Sequence, residues 1–266
     1  MSQTARIDAA ARYLLVQHDA RATFDALPED IAPRSAEDAY DIQERFRQLR
    51  APMLGEVAGH KVALTSLVMQ DMLKFYSPFA GSIHAGIVHQ SGVSLKYGDY
   101  IHLGIECELA AVLGQDLPAV GAPYDRAQIA EAVDTLAPAF ELVDDRFADY
   151  KKIASLIFTL IADNAWNGGI VLGKPSRDWR GLDLAAISGA VRINGEVAGE
   201  GHGRDVLGHP FDALTWCLNT RLSQGHAVRQ GMVVMTGSMI ATKFVKAGDH
   251  LRFAVDGLGD VEVQLE

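Results

Sequence analysis

The segment Ile105–Val112 sets two glutamates, Glu106 and Glu108, two residues apart in an otherwise apolar run. Side chains alternate between the two faces of a strand, so both carboxylates should project from one face and Cys107 from the other. Adjacent carboxylates repel one another and resist burial unless a cation or a shared proton compensates their charge. The segment therefore predicts a strand whose acidic face either meets solvent or binds a cation.

A third acid, Glu141, lies in the strand-like run Ala137–Val143. No histidine or cysteine joins the acids in a zinc-like spacing, and oxygen ligands alone favour a hard cation such as Mg²⁺ or Mn²⁺. The alternative is a half-exposed strand that turns its glutamates to solvent. For Glu106 and Glu108 alone the solvent-facing strand is the better explanation. With Glu141 added, the two explanations are balanced.

A lysine also stands inside an apolar, strand-like segment, Gly59–Thr65. Lys61 at its centre is unusual there, because lysine is rarely buried unless it is paired or its ammonium group reaches solvent. In a pocket with three carboxylates, Lys61 can hold a substrate anion or transfer a proton. At a strand edge it reaches solvent instead. The residues alone leave both interpretations open.

Composition restricts the partners and the compartment. The 266 residues include 24 basic and 34 acidic ones, giving a net charge of −10, and no basic cluster that would suit nucleic acid or an anionic membrane. No signal peptide and no apolar run of membrane-spanning length is apparent. Two cysteines, Cys107 and Cys217, make no disulfide framework and suit a reducing environment. We therefore expect a cytoplasmic protein.

The chain changes character after Pro52. Residues 7–50 repeat apolar positions at helical spacing, with Ser35 as a candidate N-cap, and the later sequence consists of short β-like runs. Asn194-Gly195 predicts a two-residue hairpin turn. Helices are predicted at residues 126–135, 148–163 and 210–223. The prediction is an α+β fold in which an N-terminal helical segment, residues 1–80, packs on a β-rich catalytic body, residues 81–266, as one structural unit.

Other common motifs are absent or broken. Gly168–Pro175 nearly matches a phosphate-binding loop, but Pro175 replaces the serine or threonine that would bind Mg²⁺, and the intervening residues read as a strand. The glycine-rich turn Gly199–Gly203 lacks the spacing of a dinucleotide fingerprint. No Gly-x-Ser-x-Gly elbow is present, so a serine hydrolase is not indicated.

Several short motifs together resemble the 2-keto-4-pentenoate hydratase and 4-oxalocrotonate decarboxylase family, within the fumarylacetoacetate hydrolase superfamily. In chain order they are Gly59–Ser66 with Met69 and Gln70, Glu106-Cys107-Glu108, Glu141–Arg146, Ala162–Ala165, Leu207–Pro210, Thr236–Ser238, Gly248-Asp249 and Gly257–Gly259. The resemblance runs from Ile7 to the C-terminus. The number and order of the motifs carry it, since no single motif is decisive.

The resemblance implies a divalent cation, Mg²⁺ or Mn²⁺, held by Glu106, Glu108 and Glu141, with Lys61 as the catalytic group. Four further residues are implied as substrate-binding positions: Thr65, Ser66, Gln70 and Ser238. The fold implied is a β-rich mixed roll like the C-terminal region of fumarylacetoacetase, with helices on its flanks. The partners implied are a small 2-oxo or 2-hydroxydienoate substrate and further copies of the same chain in a homo-oligomer.

The activity implied is hydration of a 2-hydroxy-2,4-dienoate to a 4-hydroxy-2-oxo acid, as in meta-cleavage degradation of aromatics. Related hydratases often have an aspartate in a Pro-Asp-(Phe/Tyr)-Gly segment, where this chain has Pro78-Phe79-Ala80-Gly81, as is more typical of the decarboxylase branch. The bulk of Phe75, Tyr76 and Phe79 nevertheless favours a substrate with an apolar distal end. The alternatives are decarboxylation of a 2-oxo-3-enedioate, hydrolysis of an acylpyruvate, and a catalytically inactive oligomeric scaffold.

Overall fold

The computed structural model describes all 266 residues, Met1–Glu266. Its N-terminal part consists of two helices, α1 (Gln3–Asp19) and α2 (Ala36–Leu54). Ser35 caps α2 as its sequence predicts, because its hydroxyl oxygen accepts a hydrogen bond from the Asp38 amide at 3.1 Å. Four more α-helices follow along the chain: α3 (Leu67–Leu73), α4 (Arg126–Ala132), α5 (Ile157–Ala162) and α6 (Pro210–Ser223).

Twelve strands form two sheets. In chain order they are β1 (Val57–Ala63), β2 (Phe79–His84), β3 (Val88–Gln90), β4 (Val93–Leu95), β5 (Leu103–Leu113), β6 (Val133–Asp144), β7 (Asn167–Leu172), β8 (Ser188–Ile193), β9 (Glu196–His202), β10 (Val233–Phe244), β11 (His250–Val255) and β12 (Gly259–Leu265). The larger sheet has seven strands in the order β2-β1-β10-β5-β6-β7-β3, and the smaller has five in the order β4-β12-β11-β8-β9.

The two faces of the larger sheet pack against different layers. One face meets the smaller sheet and α6 in the main core, and Cys107 lies there with 1% of its surface exposed. Cys107 is thus the packing residue that strand alternation predicts. On the other face, apolar residues of α1, α2 and α5 form a second cluster, which includes Phe79 of β2. The acidic side chains of β5 and β6 project on this second face.

The α+β, β-rich fold predicted from the sequence is confirmed, and some element boundaries differ. The helix predicted over residues 126–135 ends at Ala132, because the next residues enter β6. The helix predicted over residues 148–163 is regular only over α5, preceded by a 3₁₀ turn at Ile153–Leu156. The hairpin turn is present between β8 and β9, where Asn194 and Gly195 have φ of 55° and 84°.

The larger sheet draws strands from both sides of residue 80. β1 precedes that residue, β2 contains it, and both hydrogen-bond within the sheet. The helical layer proper ends at Leu54. The division into units at residues 1–80 and 81–266 stays a prediction. None of the helices combines the length and the apolar composition needed to cross a bilayer.

Candidate metal centre

Three buried or half-buried carboxylates meet on one face of the larger sheet. β5 and β6 are antiparallel with Glu106 directly opposite Glu141, and Glu108 follows on the same face of β5. One ligand oxygen from each glutamate lies within 4.8 Å of the others. Glu108 and Glu141 have 0% of their surface exposed, and Glu106 is half-buried. The explanation of a solvent-facing acidic strand is therefore wrong for this cluster.

Lys61 joins the carboxylates from a neighbouring strand. β1 runs parallel to β10, which separates it from β5, and Lys61 pairs with Met235. Its Nζ lies 3.0 Å from Oε1 of Glu141, and only 1% of the residue is exposed. On the other side, a Cβ at Gly81 would lie 3.0 Å from Cδ of Lys61, so the absent side chain leaves room for the lysine stem. Lys61 is therefore buried beside the carboxylates and does not reach solvent.

Each carboxylate has one oxygen bound by a donor of the protein. The three bonds are Thr242 Oγ1 to Glu106 Oε1 at 2.8 Å, the Gly237 amide to Glu108 Oε2 at 2.7 Å, and Asn167 Nδ2 to Glu141 Oε1 at 2.9 Å. Oε1 of Glu108 and Oε2 of Glu141 are buried and have no hydrogen-bond partner. Donors that orient one oxygen of a ligand and leave the other free are typical of the groups around a metal ion.

The charges of the cluster match a divalent cation. Burial raises the pKa of Glu108 well above its ordinary value, and the carboxylates of Glu141 and Glu106 raise it further. Burial alone would lower the pKa of Lys61, but the three carboxylates, led by Glu141, outweigh it and raise that pKa, so the ammonium form persists. With all three carboxylates ionised and the ammonium protonated, the cluster carries two net negative charges. One Mg²⁺ or Mn²⁺ would neutralise them through oxygen ligands alone.

The predicted substrate-binding residues after β1 shape the turn beside this cluster. A Cβ at Gly237 would lie 2.3 Å from Oγ1 of Thr65, so Thr65 packs directly on the backbone whose amide binds Glu108. Ser66 caps α3 by accepting a hydrogen bond from the Met69 amide at 3.3 Å. Gln70 is buried and donates to the Leu64 carbonyl at 3.0 Å. The contact of these residues with substrate stays a prediction.

Ser238, the fourth predicted substrate-binding residue, lies in an irregular stretch of the β10–β5 pairing, opposite Glu108. Its hydroxyl oxygen accepts from the Cys107 amide at 2.9 Å and donates to the Ile240 carbonyl at 2.6 Å. These bonds hold the strand irregularity that turns the Gly237 amide towards Glu108. A role of Ser238 in substrate binding also stays a prediction.

Two residues of the site have no clear signal in the sequence. Thr242 and Asn167 are single polar residues at the end of β10 and the start of β7, with nothing in their spacing that marks a carboxylate partner. A third residue, Asn164, belongs to the motif Ala162–Ala165, but its role depends on the fold. Its side-chain amide bonds both backbone polar groups of Ser82 at 2.8 Å, and its Oδ1 lies over Gly81.

Phe79 occupies the position at which related hydratases often have an aspartate. It lies on the same face of β2 as Gly81, and only 2% of it is exposed. Its ring packs edge-on against Phe75 with the ring centroids 6.4 Å apart, whereas Tyr76 is 69% exposed. An apolar, buried wall thus replaces a carboxylate at one side of the Lys61 strand.

Replacing Thr242 by valine should weaken Mg²⁺ binding about tenfold, because Glu106 would lose the donor that fixes its orientation. Isothermal calorimetry of the purified variant measures this change. Thr236→Val is the matched control, since Thr236 is on the same strand and donates at 3.0 Å to the Leu109 carbonyl, not to a carboxylate. Equal Mg²⁺ affinity in Thr242→Val and wild type would contradict the orienting role.

The sequence of this chain matches a known protein family and several known enzymes. A family model described as fumarylacetoacetate hydrolase, C-terminal, matches residues 59–266. The chain is similar to the 2-hydroxyhexa-2,4-dienoate hydratase of Comamonas testosteroni, at 35% identity over 245 residues, covering 91% of this chain and 90% of that protein. It is also similar to the 2-keto-4-pentenoate hydratase of Paraburkholderia xenovorans strain LB400, at 31% identity over 232 residues, covering 87% and 84%.

Among solved structures, the chain resembles the 4-oxalocrotonate decarboxylase of Pseudomonas putida G7, with a TM-score of 0.89 and 24% sequence identity. The match covers 100% of this chain and 99% of that one. That enzyme has been solved with magnesium and adipate and with calcium and acetate. At this identity the likeness concerns the fold, and it agrees with the mixed roll expected from the sequence.

Proposed function

Because this chain belongs to the fumarylacetoacetate hydrolase family, we propose that it is a metal-dependent hydratase, which adds water to a 2-hydroxy-2,4-dienoate to give a 4-hydroxy-2-oxo acid. The family predicted from the sequence motifs is confirmed, and its hydratases are among the chain's relatives. The observation that carries the proposal is the buried cluster of Glu106, Glu108 and Glu141 with Lys61. A scaffold without activity would gain nothing from burying three carboxylates together.

We propose that Glu106, Glu108 and Glu141 hold one divalent cation, Mg²⁺ or Mn²⁺. The support comes from the unpartnered oxygens of Glu108 and Glu141, from the charge balance with Lys61, and from the all-oxygen donor set. When bound, such a cation acts as a Lewis acid that stabilises negative charge on the 2-oxygen and carboxylate of a 2-oxo acid or its enol.

The reaction needs two changes in the substrate. The dienol is first converted to its conjugated 2-oxo form, by loss of the hydroxyl proton and protonation of the far end, C5. Water then adds across the C3–C4 double bond, with hydroxide at C4 and a proton at C3. Lys61 can supply a fixed positive charge for these changes, because its ammonium group is buried, paired with Glu141 and held in its protonated form by the raised pKa.

The surroundings of Lys61 confine its side chain. Asn164 fixes β2 at Ser82, and Gly81 of that strand abuts the Lys61 stem, so the ammonium group has little freedom to move. On the same face, Phe79 supplies a buried apolar surface. Such a wall suits the uncharged end of a dienoate better than a second carboxylate, which would be left without a partner.

Decarboxylation of a 2-oxo-3-enedioate is the second candidate. The observation that favours it is Phe79, which stands where related hydratases often have an aspartate. The same electron sink would accept the electrons released when a distal carboxylate leaves as CO₂. The two reactions thus share the proposed metal centre and Lys61, and they differ in the distal group of the substrate.

Supplying a 2-hydroxy-2,4-dienoate and a 2-oxo-3-enedioate separately, with Mg²⁺, should give loss of dienol absorbance and a 4-hydroxy-2-oxo product from the first compound only. Product identification and CO₂ release are measured together. Rapid CO₂ release from the enedioate without a hydroxylated product from the dienoate would establish the decarboxylase instead. Turnover of neither compound would redirect the proposal to a 1,3-dicarbonyl hydrolase, and a melting temperature that does not respond to Mg²⁺ would favour the inactive scaffold.

We further propose that the protein forms a homo-oligomer, that it is located in the cytoplasm, and that its cation is Mg²⁺ or Mn²⁺. Analytical ultracentrifugation, cell fractionation and titration with each cation test these three statements in turn.

A further inference from the structure

Asn167 stands between the proposed metal centre and a sharp bend of the backbone. The three residues before it, Asn164, Ala165 and Trp166, have φ of 56°, 53° and 58°, a left-handed conformation that residues other than glycine rarely adopt. This bend delivers Asn167 to the first position of β7, opposite Val143, where its Nδ2 donates to Oε1 of Glu141 at 2.9 Å. Only 3% of Asn167 is exposed.

The carbonyl oxygen of the same side chain has no partner. Oδ1 of Asn167 is buried and makes no hydrogen bond. Exchanging the amide oxygen and nitrogen would not help, because it would set two acceptors, Oδ1 and Oε1 of Glu141, against each other. A buried carbonyl without a donor is unfavourable. A bound molecule with an O–H or N–H group could donate a hydrogen bond to Oδ1, since no group of the chain does so.

The unpartnered carbonyl of Asn167 lies beside the carboxylate cluster, because its side chain is bound to Glu141. Oε2 of Glu141, the oxygen left free for a cation, belongs to the same carboxylate that Asn167 binds. Under the proposed function, a substrate would chelate this cation through its carboxylate and 2-oxygen, so one of these groups would approach Glu141 and the Asn167 side chain bound to it. Of the two, only the 2-oxygen can carry a proton to donate, because the carboxylate is ionised. In a 2-hydroxy-2,4-dienoate this oxygen carries a proton, and in a 2-oxo acid it carries only lone pairs. The carbonyl of Asn167 would bind the first and repel the second.

We propose that Asn167 is a specificity-determining residue whose Oδ1 accepts a hydrogen bond from the 2-hydroxyl group of the substrate, while its Nδ2 orients Glu141. The proposal rests on the proposed function, since it assigns the form of the substrate that the site receives. It explains why an amide suits this position, since an aspartate would add a fourth negative charge beside Glu141 and could not donate to it when ionised.

The test is equilibrium binding of two unreactive ligands of equal length, 2-hydroxypentanoate and 2-oxopentanoate, to the Mg²⁺-loaded protein. Calorimetry gives the ratio of the two dissociation constants for wild type, Asn167→Ala and Thr242→Val. The Thr242 variant is the matched control, because it also releases one carboxylate of the centre but removes no unpartnered carbonyl. Both variants should bind Mg²⁺ more weakly than wild type.

Only Asn167→Ala should change the preference between the ligands, by about threefold to tenfold in favour of the 2-oxo compound. An unchanged ratio would overturn the proposal, because Oδ1 would then bind only water, and an equal change in both variants would assign the effect to the metal centre as a whole. If the alanine variant does not fold, Asn167→Ser gives the same measurement. Because binding is measured without turnover, a wild-type protein that converts no dienoate contradicts the proposed function separately.

Discussion

Glu108→Gln should abolish turnover and weaken Mg²⁺ binding by more than about a hundredfold, beyond the loss expected from disturbing an outer partner of a metal ligand. Glutamine has nearly the same shape, and its carbonyl can still accept the Gly237 amide that now binds Oε2 of Glu108. Its NH₂ group would then take the place of Oε1, the oxygen that is buried without a partner. A donor would face the cation where an acceptor is needed.

The same substitution should not destabilise the metal-free protein. It removes one charge from a cluster in which burial and two further carboxylates already raise the pKa of Glu108. Thermal unfolding in chelator should therefore show a melting temperature equal to or above that of wild type, and the increase on adding Mg²⁺ should be lost. Glu200→Gln, at an exposed position of β9, makes the same charge change away from the site. Unaltered Mg²⁺ affinity in Glu108→Gln would refute the metal assignment.

Lys61→Met should lower turnover by about 10²–10³, the range typical of losing one group that stabilises developing charge, without weakening Mg²⁺ binding. Methionine keeps the apolar stem that fills the space beside Gly81 and deletes the ammonium group that binds Glu141. The three carboxylates would remain, with more negative charge than before, so a cation should bind at least as tightly. Steady-state kinetics and calorimetry on the same preparation separate the two effects.

Stability should respond to Mg²⁺ in this variant. Removing one partner of a buried ion pair typically costs about 3–5 kcal/mol, so the metal-free protein should melt at a lower temperature than wild type. Added Mg²⁺ should recover part of that loss by compensating Glu141. Lys243→Met is the control, since Lys243 lies on β10 but its side chain packs over Gly199 of the smaller sheet. Near-normal turnover in Lys61→Met would show that the lysine is only structural.

The sequence predicted the acidic part of the site well, and the reason is local. Strand alternation alone places Glu106 and Glu108 on one face, and Cys107 on the other. The structure adds the register, with Glu106 opposite Glu141, which no local pattern fixes. Residue spacing also could not decide whether Lys61 is buried, because this depends on a partner strand far away in the chain.

What the sequence did not indicate depends on long-range pairing or unusual backbone. Thr242 meets Glu106 only because the β10–β5 pairing contains irregularities that shift its register. Asn167 reaches Glu141 through a left-handed bend made of Asn164, Ala165 and Trp166, none of which is a glycine that would signal it. The sequence around the start of β2 also gives no strand signal, since Pro78 before the strand and Gly81 within it are typical of a turn.

The parallel pairing of β1 with β10 affects the order in which the larger sheet can form during synthesis. Lys61 meets Met235 across this parallel pair. β1 can pair early with β2, which follows it closely, but its second partner is synthesised near the end of the chain. Closing so long a loop costs entropy before its contacts form, and parallel pairing at such separation is slow. During synthesis, all three glutamates are added to the chain well before Gly237, whose amide binds Glu108. If Glu106, Glu108 and Glu141 bind a cation, we therefore expect it to bind in the last stage of folding, after the strands of the sheet have paired.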